Sequence, residues 1–172
     1  MRLGLFGGSF NPVHSGHVGI AERAIAELGL DRLLVIPAAV SPFKVGEGQV
    51  AVLEPEFRLE LVRTAFAGID KVCVDDRELK RGSVSYAIDT VREVLSENPG
   101  AEIIFLIGED SVEGLPRWKD YEELKKLCTF KSFPRTRESS TEIRRRISAG
   151  ESIDDLVPAA VSRMIAQHTS KV

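Results

Sequence analysis

Apolar residues along this chain fall into short continuous runs that are separated by longer stretches with helical spacing. The continuous runs predict four buried β-strands, at Leu3–Phe6, Leu33–Ile36, Val72–Val74 and Ile103–Ile107. The stretches with helical spacing predict three helices, at Ser15–Leu28, from Pro55 to about Gly68, and at Ser85–Leu95. Beyond Leu124 the pattern weakens and predicts a short strand at Thr129–Phe133 and two helices, at Thr141–Ala149 and Pro158–Gln167.

Short, nearly continuous apolar strands that alternate with helices are typical of a parallel sheet covered on both faces. We therefore predict an α/β fold with a Rossmann-like, doubly wound parallel sheet, helices on both faces and a small C-terminal helical part. The length of 172 residues and the even composition predict a single domain over residues 1–172, with residues 139–172 as its helical portion. Ligands in such folds bind beyond the carboxyl ends of the strands.

Composition and charge exclude several classes of function. The sequence has 23 basic and 26 acidic residues. The resulting net charge of −3 argues against a general nucleic-acid binder. No apolar run reaches the ~18–20 residues of a membrane span, and Met1–Phe6 is too short for a secretory signal. Cys73 and Cys128 lie too far apart in sequence to suggest a disulfide framework or a zinc site. We expect a cytoplasmic protein with neither nucleic acid nor membrane as a partner.

The segment Gly7–His17, which follows the first predicted strand, carries the most chemical information. Its two leading glycines allow the backbone to approach a ligand closely, and Asn11-Pro12 forces a turn. The helix that begins near Ser15 directs free amides and the positive end of its dipole to the same place. His14 and His17, three residues apart, fall on one side of its first turn. Together these parts predict a pocket for polyphosphate.

Other interpretations of this segment remain open. The glycines and Asn11-Pro12 could form only a tight strand-to-helix turn. His14 and His17 could bind a metal, but no third histidine, cysteine or carboxylate is adjacent in sequence, so we predict no metal site in the protein. The G-x-G-x-x-G dinucleotide fingerprint and the G-x-x-x-x-G-K-[ST] phosphate loop are both absent from the sequence, which disfavours a hydride-transfer enzyme and a P-loop ATPase.

The motif G-G-S-F-N-P-V-H-S-G-H resembles the nucleotide-binding signature of the nucleotidylyltransferase superfamily, and in this form that of bacterial nicotinate mononucleotide adenylyltransferases. Four further segments resemble that family's motifs in the same order along the chain. They are Pro37–Lys44, Glu78–Thr90, Gly108–Asp110 with Leu115–Trp118, and Ser139–Arg144. Five motifs in register make the resemblance specific.

The resemblance implies adenylyl transfer from ATP to nicotinate mononucleotide, giving nicotinic acid adenine dinucleotide and pyrophosphate, a step of NAD biosynthesis. It implies Mg²⁺ with ATP as co-substrate. Such a step depends mainly on positioning and charge neutralisation, so we interpret His14 and His17 as catalytic hydrogen-bond donors to the phosphates. The residues implied in ATP binding are Gly7, Gly8, Ser9, Phe10, His14, His17, Gly108, Asp110, Ser140, Thr141 and Arg144.

The same resemblance implies a mononucleotide site formed by Lys44, Ser85, Tyr86 and Trp118. Lys44 would face the mononucleotide phosphate as a point charge. Ser85 and Tyr86 would start a helix whose free amides hold the pyridine carboxylate, which favours nicotinate over nicotinamide. Trp118, expected in a loop, would stack on the pyridine ring, although a core position is the ordinary expectation for a single tryptophan.

The sequence departs from the family between Phe130 and Ser139, where relatives carry a longer insert, and at Glu109, where a smaller residue is more usual. Two alternatives therefore stay open. The acceptor could be nicotinamide mononucleotide or phosphopantetheine, although phosphopantetheine enzymes lack the Ser-Tyr and Leu-Pro-x-Trp segments. The protein could also bind nucleotide without turnover because of the shortened C-terminal region. Relatives often self-associate, so the resemblance leaves a homo-oligomer open as a further expectation.

Overall fold

The structure is a computed structural model that describes residues 1–39 and 53–170. Its strands are β1 (Arg2–Gly8), β2 (Arg32–Pro37), β3 (Val72–Val74), β4 (Glu102–Gly108) and β5 (Thr129–Phe133). The helices are α1 (Ser15–Leu28), α2 (Pro55–Ala65), α3 (Arg77–Arg81), α4 (Ala87–Glu97), α5 (Tyr121–Leu127), α6 (Ser140–Ala149) and α7 (Ala159–Thr169). A 3-10 helix, Glu109–Arg117, follows β4 directly.

The five strands form one parallel sheet in the order β3-β2-β1-β4-β5. In its centre, Leu5 is in register with Leu34 on one side and with Phe105 on the other. The chain runs outward from β1 through β2 to β3, and then returns to β4 on the other side of β1. The strand order therefore reverses between β1 and β4, and this arrangement opens a crevice at their carboxyl ends. The predicted Rossmann-like, doubly wound sheet is confirmed.

Alternate residues of the central strands feed two separate apolar cores, one on each face of the sheet. Phe6, Leu33 and Leu106 pack with residues of α1, α2, α6 and α7. On the other face, Leu5 and Phe105 pack with residues of α4 and α5. The strands are thus buried on both faces, which explains why they appear in the sequence as continuous apolar runs.

Three short helices were not predicted. Helices α3 and α5 have five and seven residues, and the 3-10 helix occupies most of the segment predicted as a loop before Trp118. Helices of one or two turns are too short to show a helical repeat of apolar residues, and the 3-10 helix has three residues per turn and so does not follow the repeat of an α-helix. The prediction that Ser85 starts a helix is also wrong by two residues, because the backbone of Tyr86 is extended and α4 begins at Ala87.

Candidate active site

A cleft of about 500 Å³ lies at the carboxyl ends of β1 and β4, where the strand order reverses. The end of β1 through Ser9 and the end of β4 through Gly108 form its floor. Ser85 and Tyr86 border it at the start of α4, and Trp118 forms another wall. Three of the sequence motifs, far apart along the chain, therefore meet in one cavity at the place where doubly wound folds bind ligands.

The turn that leaves β1 requires glycine at position 8. A Cβ atom there would lie 3.2 Å from the ring of Phe10, which is tighter than ordinary van der Waals contact. Phe10 itself has a φ of 43°, a left-handed conformation that is uncommon for a bulky side chain. Its ring is 2% exposed and packs edge-on against Phe6, with the two centroids 5.5 Å apart. The turn is thus fixed by packing as well as by its own residues.

His14 and His17 form a stacked pair beside this turn, with their ring centroids 3.6 Å apart. The backbone amide of His14 donates to Nδ1 of His17 at 3.1 Å, so the proton of neutral His17 is on Nε2. Burial lowers the pKa of His14 to about 4, against a smaller opposing effect of the Glu138 carboxylate, and it lowers the pKa of His17 well below its usual value. Both rings are therefore neutral at pH 7.

Nδ1 of His14 is buried and has no hydrogen-bond partner in the described part of the chain. A buried polar nitrogen without a partner is costly in a folded protein unless something else pairs with it. The stacking of the two rings agrees with the prediction that both imidazoles lie on one side of the first turn of α1.

Helix α6 carries the fifth motif to the same turn. Ser139 caps the helix by accepting from the amide of Glu142 at 3.1 Å, as expected for a serine at this position. The hydroxyl of Ser140 donates to the carbonyl of Pro12 at 2.9 Å. The guanidinium of Arg144 donates to the carbonyl of Asn11 at 2.6 Å and to the hydroxyl of Thr141 at 3.2 Å. Two motifs about 130 residues apart are thereby held together.

The residues predicted to bind ATP fall into two neighbouring groups. Gly7, Gly8, Ser9 and Gly108 line the cleft. His14, His17, Ser140, Thr141 and Arg144 form a polar cluster around the β1–α1 turn, and Phe6 and Phe10 lie between the groups. Asp110 is exposed in the 3-10 helix, with Oδ1 2.5 Å from the position that a Cβ on Gly108 would take. Lys44 lies outside the described residues.

Trp118 combines the two positions weighed for it from the sequence. Its ring packs edge-on against Phe105 and Phe130, with centroid distances of 5.7 and 5.9 Å, and so belongs to the core on that face. It remains half-buried and also lines the cleft. Because its neighbours fix the ring, it offers a rigid aromatic surface to a flat ligand.

The hydroxyl of Ser85 is buried close to the carboxyl group of Glu78, and its hydrogen bonding acts to lower the pKa of that group. Ser85 is 6% exposed and lines the cleft just before the first amides of α4. A hydroxyl in this position and the free amides of a helix start together suit an anionic group.

Arg58 is a structural residue of the site that we did not predict. Its side chain is 1% exposed, and its guanidinium donates to four backbone carbonyls, of Leu53, Ser9, Ala38 and Ala39. It therefore connects the turn after β1 to the segment after β2 and to the start of α2. The sequence did contain a signal, because Arg58 lies at helical spacing on the same buried face as Leu61 and Val62.

Glu78 on α3 is a second residue that sequence reasoning missed. It is 8% exposed, lines the cleft and accepts a hydrogen bond of 2.6 Å from the hydroxyl of Thr90. Burial raises the pKa of this carboxyl group, which the hydrogen bond from Thr90 and the nearby charge of Arg81 oppose. It begins the segment Glu78–Thr90 that resembles a family motif, but we assigned it no role, because α3 is too short to show which of its faces is buried.

The fold and the site define a nucleotidyltransferase. Residues 5–154 match the family model described as cytidylyltransferase-like. Two curated relatives carry the name of a probable nicotinate-nucleotide adenylyltransferase. The one from Gemmatimonas aurantiaca is 39% identical over 96% of this chain and 90% of its own length. The one from Listeria monocytogenes serotype 4b is 35% identical over 97% and 95%.

The chain belongs to the cytidylyltransferase-like family and, within it, to the family of the nicotinate-nucleotide adenylyltransferases. The fold has a matching solved structure in a Vibrio parahaemolyticus protein assigned to the same family, with a TM-score of 0.81, 24% sequence identity and coverage of 96% of this chain and 99% of that one. The resemblance found from the sequence motifs is therefore confirmed.

Proposed function

We propose that this protein transfers the adenylyl group of ATP to nicotinate mononucleotide, giving nicotinic acid adenine dinucleotide and pyrophosphate in NAD biosynthesis. The observation that carries this proposal is the single cleft between β1 and β4. At one end Phe6 lines the cleft and contacts His17, whose stacked partner is His14, and Arg144 is bonded to the same β1–α1 turn; these groups suit phosphates. At the other end it presents Trp118 and the start of α4, which suit a planar ring with a negative charge.

In the reaction, an oxygen of the mononucleotide phosphate forms a bond to the α-phosphorus of ATP. The bond from that phosphorus to the oxygen that bridges to the β-phosphorus breaks, and pyrophosphate leaves with the electron pair. The attacking phosphate is already ionised at pH 7, so no general base is needed. Catalysis consists of holding the two substrates in line and stabilising the charge that develops on the phosphate oxygens.

Neutral histidines suit this task. Nε2–H of His17 and a ring N–H of His14 donate to phosphate oxygens in our proposal, and the orphaned Nδ1 of His14 gains a partner. Fixed donors of this kind contribute about 10²–10³ each to the rate when they meet the charge of the transition state. Ser140, Thr141 and Arg144 then bind the β- and γ-phosphates, as the resemblance implies. Gly7, Gly8 and Ser9 supply the backbone beside the triphosphate.

At the other end of the cleft, Trp118 stacks on the pyridine ring, while Ser85, Tyr86 and the first amides of α4 receive the carboxylate. Gly108 allows the close approach of a ribose whose hydroxyls donate to Asp110, while the role of Lys44 at the mononucleotide phosphate rests on the resemblance alone. These assignments are supported by the position of Ser85, Tyr86, Trp118 and Gly108 along one cavity.

Mg²⁺ enters the proposed reaction with ATP, as the MgATP complex, and neutralises part of the triphosphate charge. The described residues contain no group of three histidine, cysteine or acidic side chains placed to hold a metal ion. An ion that arrives with the substrate does not require such a group, since the phosphates of ATP supply its ligands.

We further propose that residues 1–172 act as one domain, since Ile143 of α6 and Val161 of α7 pack into the same core as the sheet. Within the described residues, every helix is too short or too polar to cross a lipid bilayer. A cytoplasmic location is supported by the free thiols of Cys73 and Cys128.

The test is release of pyrophosphate by purified protein given MgATP and each acceptor in turn. The proposal expects release with nicotinate mononucleotide far above that with the nicotinamide form or with phosphopantetheine. Preference for another acceptor would change the assigned substrate. ATP binding with no release for any acceptor would show a nucleotide-binding protein without turnover and would refute the proposal.

A further inference from the structure

Lys119 lies at the end of the cleft where the proposed pyridine ring binds. It follows Trp118 directly in sequence, and its side chain lines the cavity. Its Nζ lies over the ring of Tyr86, 4.5 Å from the centroid. Tyr86 is the residue that precedes α4, so the ammonium group lies near the start of that helix.

The charges that border the cleft favour an anion at this end. The charged side chains that line it are Arg117, Lys119 and Glu78. Glu78 is buried, and its carboxyl group is already engaged by the hydroxyl of Thr90 and by the nearby charge of Arg81. Two cations and the positive end of the α4 dipole therefore act on a ligand here.

Asp89 does not cancel the charge of Lys119. Its Oδ2 is 3.3 Å from Nζ of Lys119, longer than the 2.7–2.9 Å typical of a strong charge-assisted hydrogen bond. The same carboxylate is also 3.7 Å from the guanidinium of Arg92. Both partners in the Lys119–Asp89 pair are partly exposed, at 44% and 35%, so the pair is weak and a ligand carboxylate can compete for the ammonium group.

We propose that Lys119 is a specificity-determining residue, whose ammonium group selects a pyridine ring with an anionic substituent over one with a neutral carboxamide. This inference rests on the proposed function and assigns part of its acceptor specificity to one side chain. The amides of α4 bind the carboxylate through hydrogen bonds, and Lys119 adds a charge that a carboxamide does not attract.

The chain offers a closely matched control in Lys125. That side chain is 43% exposed, its Nζ lies 4.9 Å from the ring centroid of Tyr121, and it pairs with Glu122 at 2.9 Å. It therefore shares the exposure, the cation–π contact and the ion pair of Lys119. It does not line the cleft. Any effect of losing one partly exposed lysine charge in general should appear equally in Lys125→Gln.

The test compares wild type, Lys119→Gln, Lys119→Arg and Lys125→Gln. Trp118 is the only tryptophan, so quenching of intrinsic fluorescence reports binding of nicotinate mononucleotide and of nicotinamide mononucleotide separately from turnover. Values of kcat/KM are measured for both acceptors and for ATP. Thermal unfolding checks that each variant is folded.

We expect Lys119→Gln to raise the Kd for nicotinate mononucleotide about 2- to 5-fold, as for loss of one partly screened charge, and to leave nicotinamide mononucleotide and ATP unchanged. Lys119→Arg should keep most of the preference, and Lys125→Gln should match wild type. Equal weakening of both acceptors, or an unchanged ratio, would overturn the role of Lys119 while wild type still used nicotinate mononucleotide. A wild type that neither binds nor uses that acceptor would overturn the proposed function as well.

Discussion

Replacing Arg58 by methionine removes the buried cation that connects three segments around the site. The guanidinium makes four hydrogen bonds to backbone carbonyls, and the side chain is 1% exposed. Hydrogen bonds to a charged group contribute roughly 1.5–3 kcal/mol each, but burying the charge is itself unfavourable. Methionine would fill the space and leave four carbonyls without their donor, so we expect a loss of about 3–5 kcal/mol in the free energy of unfolding.

The Arg58→Met substitution should also lower the efficiency with which the protein uses ATP. One of the four acceptors is the carbonyl of Ser9, which lies in the turn that lines the cleft. Without the hydrogen bond from Arg58, the carbonyl of Ser9 is no longer held in place. We expect kcat/KM for ATP to fall by about 10- to 100-fold, because binding groups displaced by an ångström lose much of their effect. Arg58→Lys keeps the charge but not the forked geometry, and should fall between methionine and wild type.

Urea unfolding and steady-state kinetics measure the two effects. The matched control is Arg63→Met on the same helix, whose side chain is 55% exposed and pairs with Asp76 at 3.3 Å. Its loss should change the free energy of unfolding by less than about 0.5 kcal/mol. If Arg58→Met loses less than about 1 kcal/mol, the estimate from its hydrogen bonds is wrong. If stability falls but kcat/KM for ATP at a fully folded temperature does not, Arg58 stabilises the fold without positioning the site.

Three further predictions concern other residues of the site. Trp118→Ala should reduce the use of the mononucleotide much more than the use of ATP in two-substrate kinetics, and equal losses would make Trp118 a purely structural residue. Gly16→Ala should cost about 1–3 kcal/mol in urea unfolding, because the new methyl would clash with Oγ1 of Thr136 and lie 2.8 Å from its Cβ, and Thr136→Ala, which removes Oγ1, should partly rescue it; full stability of the single variant would refute the close contact. Burial lowers the pKa of His14 to about 4, so the unfolded chain binds more protons below pH 6.5. Between pH 6.5 and about 4, wild type should therefore lose about 3 kcal/mol more stability than His14→Gln, and parallel pH curves would contradict this.

The parts of the fold that the sequence predicted share a physical origin. Strands buried on both faces are continuous apolar runs, and helices longer than two turns repeat their apolar residues every three or four positions. For that reason β1, β4 and α1 were predicted almost to the residue. Helix α3 has five residues, too few to show such a repeat, and the 3-10 helix does not follow the period of an α-helix.

The candidate site shows the same division. The spacing of His14 and His17 predicts that the two rings lie close together, and the structure stacks them, but their role at phosphates is implied by the resemblance. Arg58 could not be assigned a role in this way, because its function depends on three segments that meet only in the folded chain. Lys119 is a similar case. Its proposed role follows from its contact with the ring of Tyr86, the residue that directly precedes α4.

The division of labour between histidine and arginine at the phosphate end follows from their burial. Two imidazoles stacked at 3.6 Å repel each other when both are charged, and burial already favours their neutral forms. In the proposed reaction they would therefore serve as oriented N–H donors whose protonation state does not change near pH 7. Fixed positive charge comes instead from Arg144, whose guanidinium stays protonated even though burial lowers its pKa. Because that guanidinium is held by the carbonyl of Asn11, the charge is oriented toward the turn before any phosphate arrives, and binding need not spend entropy on ordering it.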